Sequence, residues 1–274
     1  MSTATNVTEE SGASAPDLAG DGRVAVITGA ATGIGRGIAG AFARAGYRVA
    51  IADIDHEQGA EAVAELKDRG LRARFVSLDV TDETSIADAI ADIVEAWGQL
   101  DVVLNNAGIV GLCTDIERLD IEDFDRVMAV NLRGPFLVCK YAVAAMRPRG
   151  GSIINISSIT AQNGSPYFTA YGASKAGVET LTRGLARNLG RFSIRVNCLR
   201  PGSIGGTHLM DDFYAGKDDD RTRDLRGLRL KIPVGRLGQP GDIAHLALFL
   251  ASPLSRHMNG SVLTIDGGEM LGFQ

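Results

Sequence analysis

The sequence predicts an α/β protein built on one doubly wound parallel sheet of about seven strands, with helices on both faces. Short runs of Val, Ile and Leu alternate with amphipathic segments along most of the chain. Such continuous apolar runs are typical of strands that are covered on both faces, which requires crossover helices between parallel strands. The chain has 274 residues, of which 45% are hydrophobic, and no Pro/Ser-rich linker divides it. We therefore expect a single domain with one large core.

The predicted strands follow one another with helical segments between nearly all of them. The first strand, residues 24–27, precedes a glycine-rich turn and a helical segment over residues 36–45. The second, residues 47–52, leads to Asp53 and to a helical segment over 56–69. The remaining strand candidates are residues 71–78, 100–104, 152–156, 194–198 and 262–265.

Two segments depart from this alternation. Residues 1–21 are rich in Ser, Thr, Ala, Gly and Glu and contain almost no large apolar side chain, so we expect a disordered tail before a catalytic domain over 22–274. Residues 203–231 form a long polar interruption in which acidic residues are followed by a cationic cluster between Arg221 and Lys231. Connections of this length in a compact domain are usually functional, and we predict a substrate lid.

Composition excludes several functional classes. The formal net charge of -5 argues against a nucleic-acid-binding protein. The sequence contains neither an uninterrupted apolar run of 18 residues nor a signal peptide pattern, so we expect a soluble cytoplasmic protein that does not enter a membrane. The three cysteines, Cys113, Cys139 and Cys198, lack metal-ligand spacing, and we expect all three to be buried and no metal to be bound.

A glycine-rich turn after the first strand indicates a dinucleotide site. Glycines at positions 29, 33 and 35 allow a tight turn, a close approach of backbone amides to a pyrophosphate, and close packing of the next helix on the sheet. A tight connection without a ligand would need the same glycines, and such a turn alone is a weak signal.

Asp53 supports the dinucleotide interpretation and favours NAD over NADP. It ends the second strand about 20 residues after the glycines, where a carboxylate can accept hydrogen bonds from both ribose hydroxyls and would repel a 2'-phosphate. Position 32 is Thr, not a basic residue. Arg36 and Arg48 keep NADP as an alternative, and Asp53 could also simply cap the next turn.

Taken together, the motifs resemble those of the short-chain dehydrogenase/reductase family over about residues 23–268. The three residues between the first two glycines, and Ser158 placed thirteen residues before Tyr171, follow the family pattern. The other matching motifs are Asp79-Val80, Asn105-Asn106-Ala107-Gly108, Asn131 within Val130-Asn131-Leu132, Tyr171-Gly172-Ala173-Ser174-Lys175, Pro201-Gly202 and Asp266-Gly267-Gly268. The resemblance implies a Rossmann-type fold and a nicotinamide-dependent oxidoreductase.

The resemblance also implies the roles of individual residues. The catalytic set would be Asn131, Ser158, Tyr171 and Lys175, with Asn131 positioning a water that links Lys175 to solvent. The cofactor would be contacted by Gly29, Thr32, Gly33, Ile34, Gly35, Asp53, Ile54, Asp79, Val80, Asn106, Ala107, Gly108, Tyr171, Lys175, Pro201, Gly202, Ile204 and Thr207. A homotetramer assembled through helices at about 124–146 and 171–189 is implied as well.

The chemistry of these residue types agrees with the resemblance. Tyr171 and Lys175 are four residues apart, which makes them neighbours on one helix face. We expect the ammonium group to lower the pKa of the phenol, so that Tyr171 acts as general acid in reduction and general base in oxidation. Ser158 would hold the substrate oxygen as negative charge develops on it.

One departure concerns the segment after Pro201-Gly202. The family places a threonine that holds the nicotinamide carboxamide in the pattern Pro-Gly-x-Ile-x-Thr, whereas this chain has one additional residue before Thr207. Gly205 and Gly206 can adopt unusual dihedral angles, which leaves a contact from Thr207 open.

The sequence leaves the substrate and two alternative functions open. A largely apolar substrate pocket is expected from residues 109–113, residues 158–168 and the lid, which includes Leu209, Met210, Phe213 and Tyr214. The main expectation is a dehydrogenase or ketoreductase for small secondary alcohols and ketones. A 3-oxoacyl-carrier-protein-type ketoreductase is the alternative, because the cationic cluster could meet an acidic carrier protein, although charge runs are usually solvated helix faces. A non-catalytic dinucleotide sensor would not need the retained Tyr171 and Lys175.

Overall fold

The computed structural model describes residues 18–207 and 230–271. Within them, seven parallel strands form one sheet in the order β3-β2-β1-β4-β5-β6-β7, which confirms the predicted single-sheet α/β architecture. The strands are β1 (Val24–Thr28), β2 (Arg48–Asp53), β3 (Ala73–Ser77), β4 (Val102–Asn105), β5 (Gly151–Ile156), β6 (Ile194–Pro201) and β7 (Val262–Ile265).

Helices connect the strands and cover both faces of the sheet. They are α1 (Gly33–Arg44), α2 (His56–Asp68), α3 (Glu83–Trp97), α4 (Ile121–Met128), α5 (Gly134–Met146), α6 (Thr160–Asn163), α7 (Thr169–Leu189) and α8 (Pro240–Ala251). One apolar cluster contains Phe42 and Leu250 from α1 and α8, and the other contains Ile86 and Met146 from α3 and α5. The strands lie between these two clusters, which explains their continuous apolar runs.

The strand order reverses between β1 and β4, next to the glycine turn. Ala25, Val26 and Ile27 of β1 pair in register with Val102, Val103 and Leu104 of β4, while the other edge of β1 pairs with β2. In doubly wound sheets, ligands bind outside the carboxyl ends of the strands at this reversal. The fold therefore assigns the site to the ends of β1, β2, β4, β5 and β6.

The predicted end of the N-terminal tail is wrong. Residues 18–21 belong to the folded domain: Gly20 is buried and its amide donates to Ala45 O at 2.5 Å. Arg23 extends this contact, because its Nη2 donates to Ala19 O at 2.8 Å and its guanidinium lies 4.9 Å from the Tyr47 ring centroid. Residues 18–21 are thus held in place by contacts with side chains of the domain, such as Arg23, and not by large side chains of their own. Residues 1–17 lie outside the described part of the chain.

A π-helical turn over Ala129–Arg133 joins α4 to α5. The continuous helical stretch Ile121–Met146 is long and apolar enough to cross a membrane by length and composition, but half of its most apolar window is buried inside the protein. It packs against α3 and α7, which makes it a core helix of this fold. The π-turn was not predicted, because the apolar pattern continues through it without a break.

Candidate active site

The predicted glycine turn is formed as the motif requires. Gly29 has φ +63°, and a Cβ there would lie 2.8 Å from Ala107 Cα. A Cβ on Gly35 would lie 2.1 Å from Gly29 O, so only glycine allows α1 to pack this closely on β1. Gly33, with φ +54°, begins α1. The helix therefore starts three residues earlier than the predicted Arg36, and its positive N-terminal end faces the turn.

Asp53, at the end of β2, lies next to this glycine turn. One of its carboxylate oxygens accepts from Ala31 N at 2.9 Å, and the other accepts from Asp55 N at 3.1 Å. The bond to Asp55 is the turn-capping role that the sequence left open, and the bond to Ala31 ties the carboxylate to the glycine turn. Asp53 and Ile54 both line the cavity described below.

Arg36 and Arg48, which left NADP possible as the cofactor, both pair with other groups of the protein. Arg36 Nη2 lies 2.9 Å from Glu65 Oε2 and 3.4 Å from Glu61 Oε1. Arg48 donates through Nε to Gly22 O at 2.8 Å. Both guanidinium groups are thus held by protein groups of α2 or the N-terminal segment.

The turn after β4 is fixed to the turn after β1. Asn106 Nδ2 donates to Thr28 O at 3.0 Å and to Gly29 O at 2.8 Å, while Thr28 Oγ1 accepts from the amides of Asn106 and Ala107, each at 3.1 Å. Asp79 holds its own turn by accepting from Thr81 N at 2.8 Å. These bonds give the cavity wall a shape that does not depend on a ligand.

One large cavity of about 840 Å³ follows the carboxyl ends of the strands from Asp53 to Tyr171. Of the predicted cofactor residues, Gly35 alone does not line it, because Gly35 is buried between α1 and the turn. The predicted residues that do line it are Gly29, Thr32, Gly33, Ile34, Asp53, Ile54, Asp79, Val80, Asn106, Ala107, Gly108, Tyr171, Lys175, Pro201, Gly202, Ile204 and Thr207. A volume of this size is within the range of small-molecule and cofactor sites in proteins.

Ser158, Tyr171 and Lys175 meet at the other end of the cavity. Lys175 Nζ lies 5.6 Å from the Tyr171 ring centroid and donates to Ile156 O at 2.9 Å. The Ser158 hydroxyl is close enough to the Tyr171 phenol to lower its pKa. Three elements, β5, α6 and α7, thus bring the predicted Ser-Tyr-Lys set together.

The expected effect of Lys175 on Tyr171 is wrong for this structure. Burial raises the pKa of Tyr171 to about 12, and the hydrogen bond from Ser158 opposes that shift only in part. Burial also lowers the pKa of Lys175 to about 8. Both groups are almost fully enclosed, and the loss of hydration disfavours the charged form of each. Tyr171 is therefore a protonated phenol at neutral pH.

Asn131 does not line the cavity but lies directly behind it. Its side chain is fully buried within the π-turn, with Oδ1 accepting from Ile109 N at 2.9 Å and Nδ2 donating to Ile109 O at 2.8 Å. Nδ2 also lies 3.1 Å from Ser174 Oγ, on the helix that carries Tyr171 and Lys175. A Cβ on Gly108 would lie 3.2 Å from both Asn131 Oδ1 and Lys175 Nζ. Asn131 Oδ1 and Lys175 Nζ therefore both border Gly108. Single-turn π-bulges are frequent at functional sites.

The segment after β6 reaches the cavity despite its additional residue. Ile204 forms an isolated bridge with Gly238, and Gly206, with φ +69°, turns the chain back toward α1. Thr207 is buried, and its side chain would lie 3.7 Å from a Cβ on Gly33. The two glycines, Gly205 and Gly206, therefore accommodate the additional residue, and Thr207 still reaches the cavity wall.

Several lining residues were not predicted. Glu269 accepts from Ser203 N and from Ser203 Oγ, each at 2.8 Å, and so joins the C-terminal segment to the wall beside Gly202. Glu269 is distant in sequence from the other lining segments, although the Asp266-Gly267-Gly268 motif next to it was a usable signal. The other unpredicted lining residues outside the expected substrate region are Leu78, Val130, Ile156 and Ser157. Ser203 and Lys231, the first and last residues of the predicted lid, also line the cavity.

The substrate end is more polar than expected in the described part of the chain. Ile109 is the one residue of segment 109–113 at the cavity wall, and Cys113 is exposed, contrary to the expectation that all three cysteines are buried. Residues 158–168 contribute Ser158, Ile159, Thr160, Asn163, Ser165 and Phe168.

Most of the predicted lid, including Leu209, Met210, Phe213, Tyr214 and the arginines of the cationic cluster, lies outside the described residues. Within 18–207 and 230–271, no cluster of three His, Cys, Asp or Glu side chains could hold a metal ion.

Comparisons with known proteins agree with this geometry. A family profile described as enoyl-(acyl carrier protein) reductase matches residues 29–269. An uncharacterized oxidoreductase of Bacillus subtilis is 41% identical over 91% of this chain and 92% of its own length. A sorbitol dehydrogenase of Cereibacter sphaeroides is 36% identical over 92% and 98%, and a 3-oxoacyl-[acyl-carrier-protein] reductase of Chlamydia muridarum is 37% identical over 90% and 96%.

Solved structures match over nearly the whole fold. Levodione reductase superposes with a TM-score of 0.88 at 30% identity, covering 92% of this chain and 98% of its own. A short-chain type dehydrogenase/reductase from Mycobacterium ulcerans superposes with a TM-score of 0.84 at 33% identity, covering 91% and 90%. The described fold therefore belongs to an architecture shared by oxidoreductases.

Proposed function

The chain belongs to the short-chain dehydrogenase/reductase family of oxidoreductases, and we propose that it interconverts small secondary alcohols and ketones with NAD(H). The observation that carries this proposal is one continuous cavity with Asp53 at one end and Ser158, Tyr171 and Lys175 at the other. A dinucleotide bound at the glycine turn would have its adenosine at Asp53 and its nicotinamide beside Tyr171.

The proposed mechanism assigns the proton chemistry to Tyr171. The nicotinamide, when bound, supplies or accepts the hydride. Tyr171 is a protonated phenol at neutral pH, since its pKa lies well above 7 and burial raises it further to about 12, and it can donate its proton to a carbonyl oxygen as the hydride arrives. Ser158 holds the same oxygen by a hydrogen bond. Lys175, charged below its pKa of about 8, stabilises the phenolate that remains.

Asn131 has a supporting role in this proposal. Its three hydrogen bonds join the turn at Ile109 to Ser174 on α7, next to Lys175. We assign it the task of positioning a water that links Lys175 to solvent, as the family pattern implies. Thr207 is assigned a contact with the nicotinamide carboxamide, because it lies at the cavity wall opposite Gly33.

NAD is the proposed cofactor on the grounds of charge. The Asp53 carboxylate is held at the cavity wall by Ala31 N, where it would accept from ribose hydroxyls and repel a 2'-phosphate. Arg36 and Arg48 are engaged with other groups of the protein. NADP is the less favoured cofactor for these reasons.

A substrate screen tests the function directly. Purified enzyme is assayed at 340 nm with NAD and NADP against sugar alcohols, cyclic alcohols and the corresponding ketones, a panel suggested by the named relatives. Turnover that depends on Tyr171 and prefers NAD is expected. An enzyme that binds NADH by fluorescence titration, but turns over none of these compounds or acyl thioesters, would instead be the dinucleotide sensor.

The carrier-protein ketoreductase is the second candidate, favoured by the 37% identical reductase of Chlamydia muridarum. A 3-oxoacyl group on acyl carrier protein is compared with the same group on N-acetylcysteamine. Preference of at least tenfold in kcat/KM for the carrier-bound substrate would select this candidate. Equal rates would favour a free small molecule.

The quaternary structure, the lid and the location of the protein complete the proposal. A homotetramer is proposed through the helices near 124–146 and 171–189, where Phe136 is 48% exposed in the isolated chain. Light scattering after gel filtration tests this assembly. Residues 203–231 are proposed to close over cofactor plus substrate, which hydrogen exchange with and without both ligands tests. We propose a cytoplasmic enzyme that contacts neither membranes nor nucleic acids.

A further inference from the structure

A buried ion pair lies behind the catalytic residues and is not part of the cavity wall. Glu179 is on α7, four residues after Lys175 and eight after Tyr171, so all three lie on one side of the helix. Arg200 donates to its carboxylate through Nε at 2.8 Å and Nη2 at 2.7 Å. Only 8% of the Glu179 side chain and 13% of the Arg200 side chain are exposed.

This pair is connected to the chain segments that carry Ser158 and Tyr171. Ser157 Oγ lies 2.9 Å from Glu179 Oε1 and 3.2 Å from Lys175 O, and Ser157 immediately precedes Ser158. Glu179 is therefore attached to the end of β5 on one side and is part of the helix of Tyr171 on the other. A change in its position would alter the distance between the Ser158 hydroxyl and the phenol.

Arg200 extends the same connection to two further walls of the site. It immediately precedes Pro201, which lines the cavity on β6. Its Nη1 contacts the side chain of Gln162 on α6 and lies 3.3 Å from Thr264 Oγ1 on β7. One guanidinium thus links the elements that carry the catalytic serine, the catalytic tyrosine and the proposed nicotinamide wall.

We propose that Glu179 and Arg200 are positioning residues that set the alignment of Ser158 and Tyr171 for proton transfer. A buried ion pair by itself is weak evidence for a contribution to stability, since apolar replacements of similar volume are often as stable. Catalytic groups, however, need their geometry fixed to a fraction of an ångström by surrounding hydrogen bonds. The pair is arranged for that second purpose, because its contacts converge on the residues next to the catalytic ones.

Two variants separate positioning from stability. The double variant Glu179→Leu with Arg200→Met replaces the pair by apolar side chains of similar size, which retains the fold but removes the link to Ser157. The single variant Glu179→Gln keeps an acceptor for Ser157 and loses the charge. The matched control is Arg74→Met with Asp92→Leu, which removes an ion pair of 2.6 Å between β3 and α3 outside the cavity lining.

The inference rests on the proposed Ser-Tyr-Lys chemistry, so one measurement does not require turnover. Tyrosine labelled with ¹³C at Cζ reports the hydrogen bond of the phenol by NMR, and the Tyr171→Phe variant assigns the Tyr171 resonance. The second measurement is kcat and KM with the substrate found in the screen, together with thermal unfolding. If no substrate turns over, the proposed function fails, and the NMR result still decides the positioning role.

The expected result for the double variant is a shifted Tyr171 resonance, a kcat lowered about 10- to 100-fold, and a KM for NADH within about twofold of wild type. Glu179→Gln should shift the resonance less, and the Arg74/Asp92 control should leave both unchanged. The proposal is overturned if the folded double variant keeps the wild-type resonance position, or if its kcat stays within twofold of wild type. If the double variant does not fold, the same two criteria are applied to Glu179→Gln.

Discussion

The two ends of the cavity are built by different means. At the adenosine end, backbone groups and short side chains at strand ends form the wall, as in the bonds of Asn106 to Thr28 O and Gly29 O. At the substrate end, the wall combines α6, the segment after β6 and the C-terminal segment with Glu269. The first end is local to strand termini and can be recognised from short motifs. The second depends on which distant segments meet, and so can change between relatives without altering the fold.

The largest expected effect is at the substrate end. Tyr171→Phe removes one oxygen and retains the ring, so kcat should fall by about 10²- to 10⁴-fold because the positioned acid is lost. NADH affinity should stay within about twofold, since Asp53 and the glycine turn are unchanged. Steady-state kinetics measures kcat, which reports on the substrate end, and fluorescence titration measures NADH affinity, which reports on the proposed adenosine end.

Ser158→Ala serves as the companion to that variant. It should cause a comparable loss in kcat, and the double variant should lose far less than the product of the two single effects, because both residues act on one oxygen. A Tyr171→Phe enzyme that keeps more than about a tenth of wild-type kcat would contradict the acid/base role.

The next largest effect is expected from a steric clash at the glycine turn of the proposed adenosine end. Gly35→Ala places a Cβ 2.1 Å from Gly29 O, and backbone cannot move aside as a flexible side chain would. We expect a loss of about 3 kcal/mol in the free energy of unfolding, together with weaker NADH binding. Urea denaturation and NADH titration measure both.

Gly241→Ala is the control, because a Cβ at this exposed helix position of α8 meets no atom within 4 Å. That variant should be stabilised by about 0.5–1 kcal/mol. A Gly35→Ala protein that unfolds at the same urea concentration as wild type would show that α1 can move away from β1.

A smaller effect at the adenosine end concerns cofactor choice. Asp53→Ala removes the proposed ribose acceptor and the charge that repels a 2'-phosphate, so the NAD to NADP ratio of kcat/KM should fall about tenfold or more. The ratio is measured with one substrate at fixed pH. The double variant Glu61→Ala with Glu65→Ala, which removes both exposed carboxylates paired with Arg36, tests whether freeing that arginine alone is enough to admit NADP. A wild-type preference for NADP would show that the role of Asp53 is misassigned.

The difference between the two ends also explains what could be predicted from sequence. Strand runs and the glycine spacing predicted the parallel sheet, because the period of the apolar pattern and the small size of glycine act locally. Ser158, Tyr171 and Lys175, which line one cavity in the structure, could be grouped from the sequence because they lie within 18 residues of one another in the chain. Glu269 was missed, because its place beside Ser203 depends on a contact across 66 residues. The pKa of Tyr171 was predicted in the wrong direction, because burial cannot be read from a four-residue spacing.

The smallest expected effect tests that burial through the pH dependence of stability. Lys175 has a folded-state pKa of about 8, below its ordinary value of 10.5, because burial disfavours its charged form. Between pH 8 and pH 10.5 the unfolded chain therefore binds more protons at this position than the folded chain, and the free energy of unfolding should rise with pH in that window. Tyr171 has the opposite sign: its raised pKa stabilises the fold below about pH 10 and that contribution is lost as pH rises toward 12. From pH 8 to pH 9 the contribution of Lys175 should be a rise of about 1 kcal/mol. The buried thiols of Cys139 and Cys198, whose pKa values burial raises to about 12, act in the opposite direction in this window, so the contribution of Lys175 is measured as the difference between wild type and a variant without the ammonium group. Urea denaturation of wild type and of Lys175→Met, which keeps the length of the side chain without its charge, should differ by this rise. Lys67→Met, which removes an exposed lysine of α2, should retain it. A pH dependence that is the same in wild type and Lys175→Met would mean that the ammonium group is solvated in the folded protein, and that the substrate end is more open to water than its walls imply.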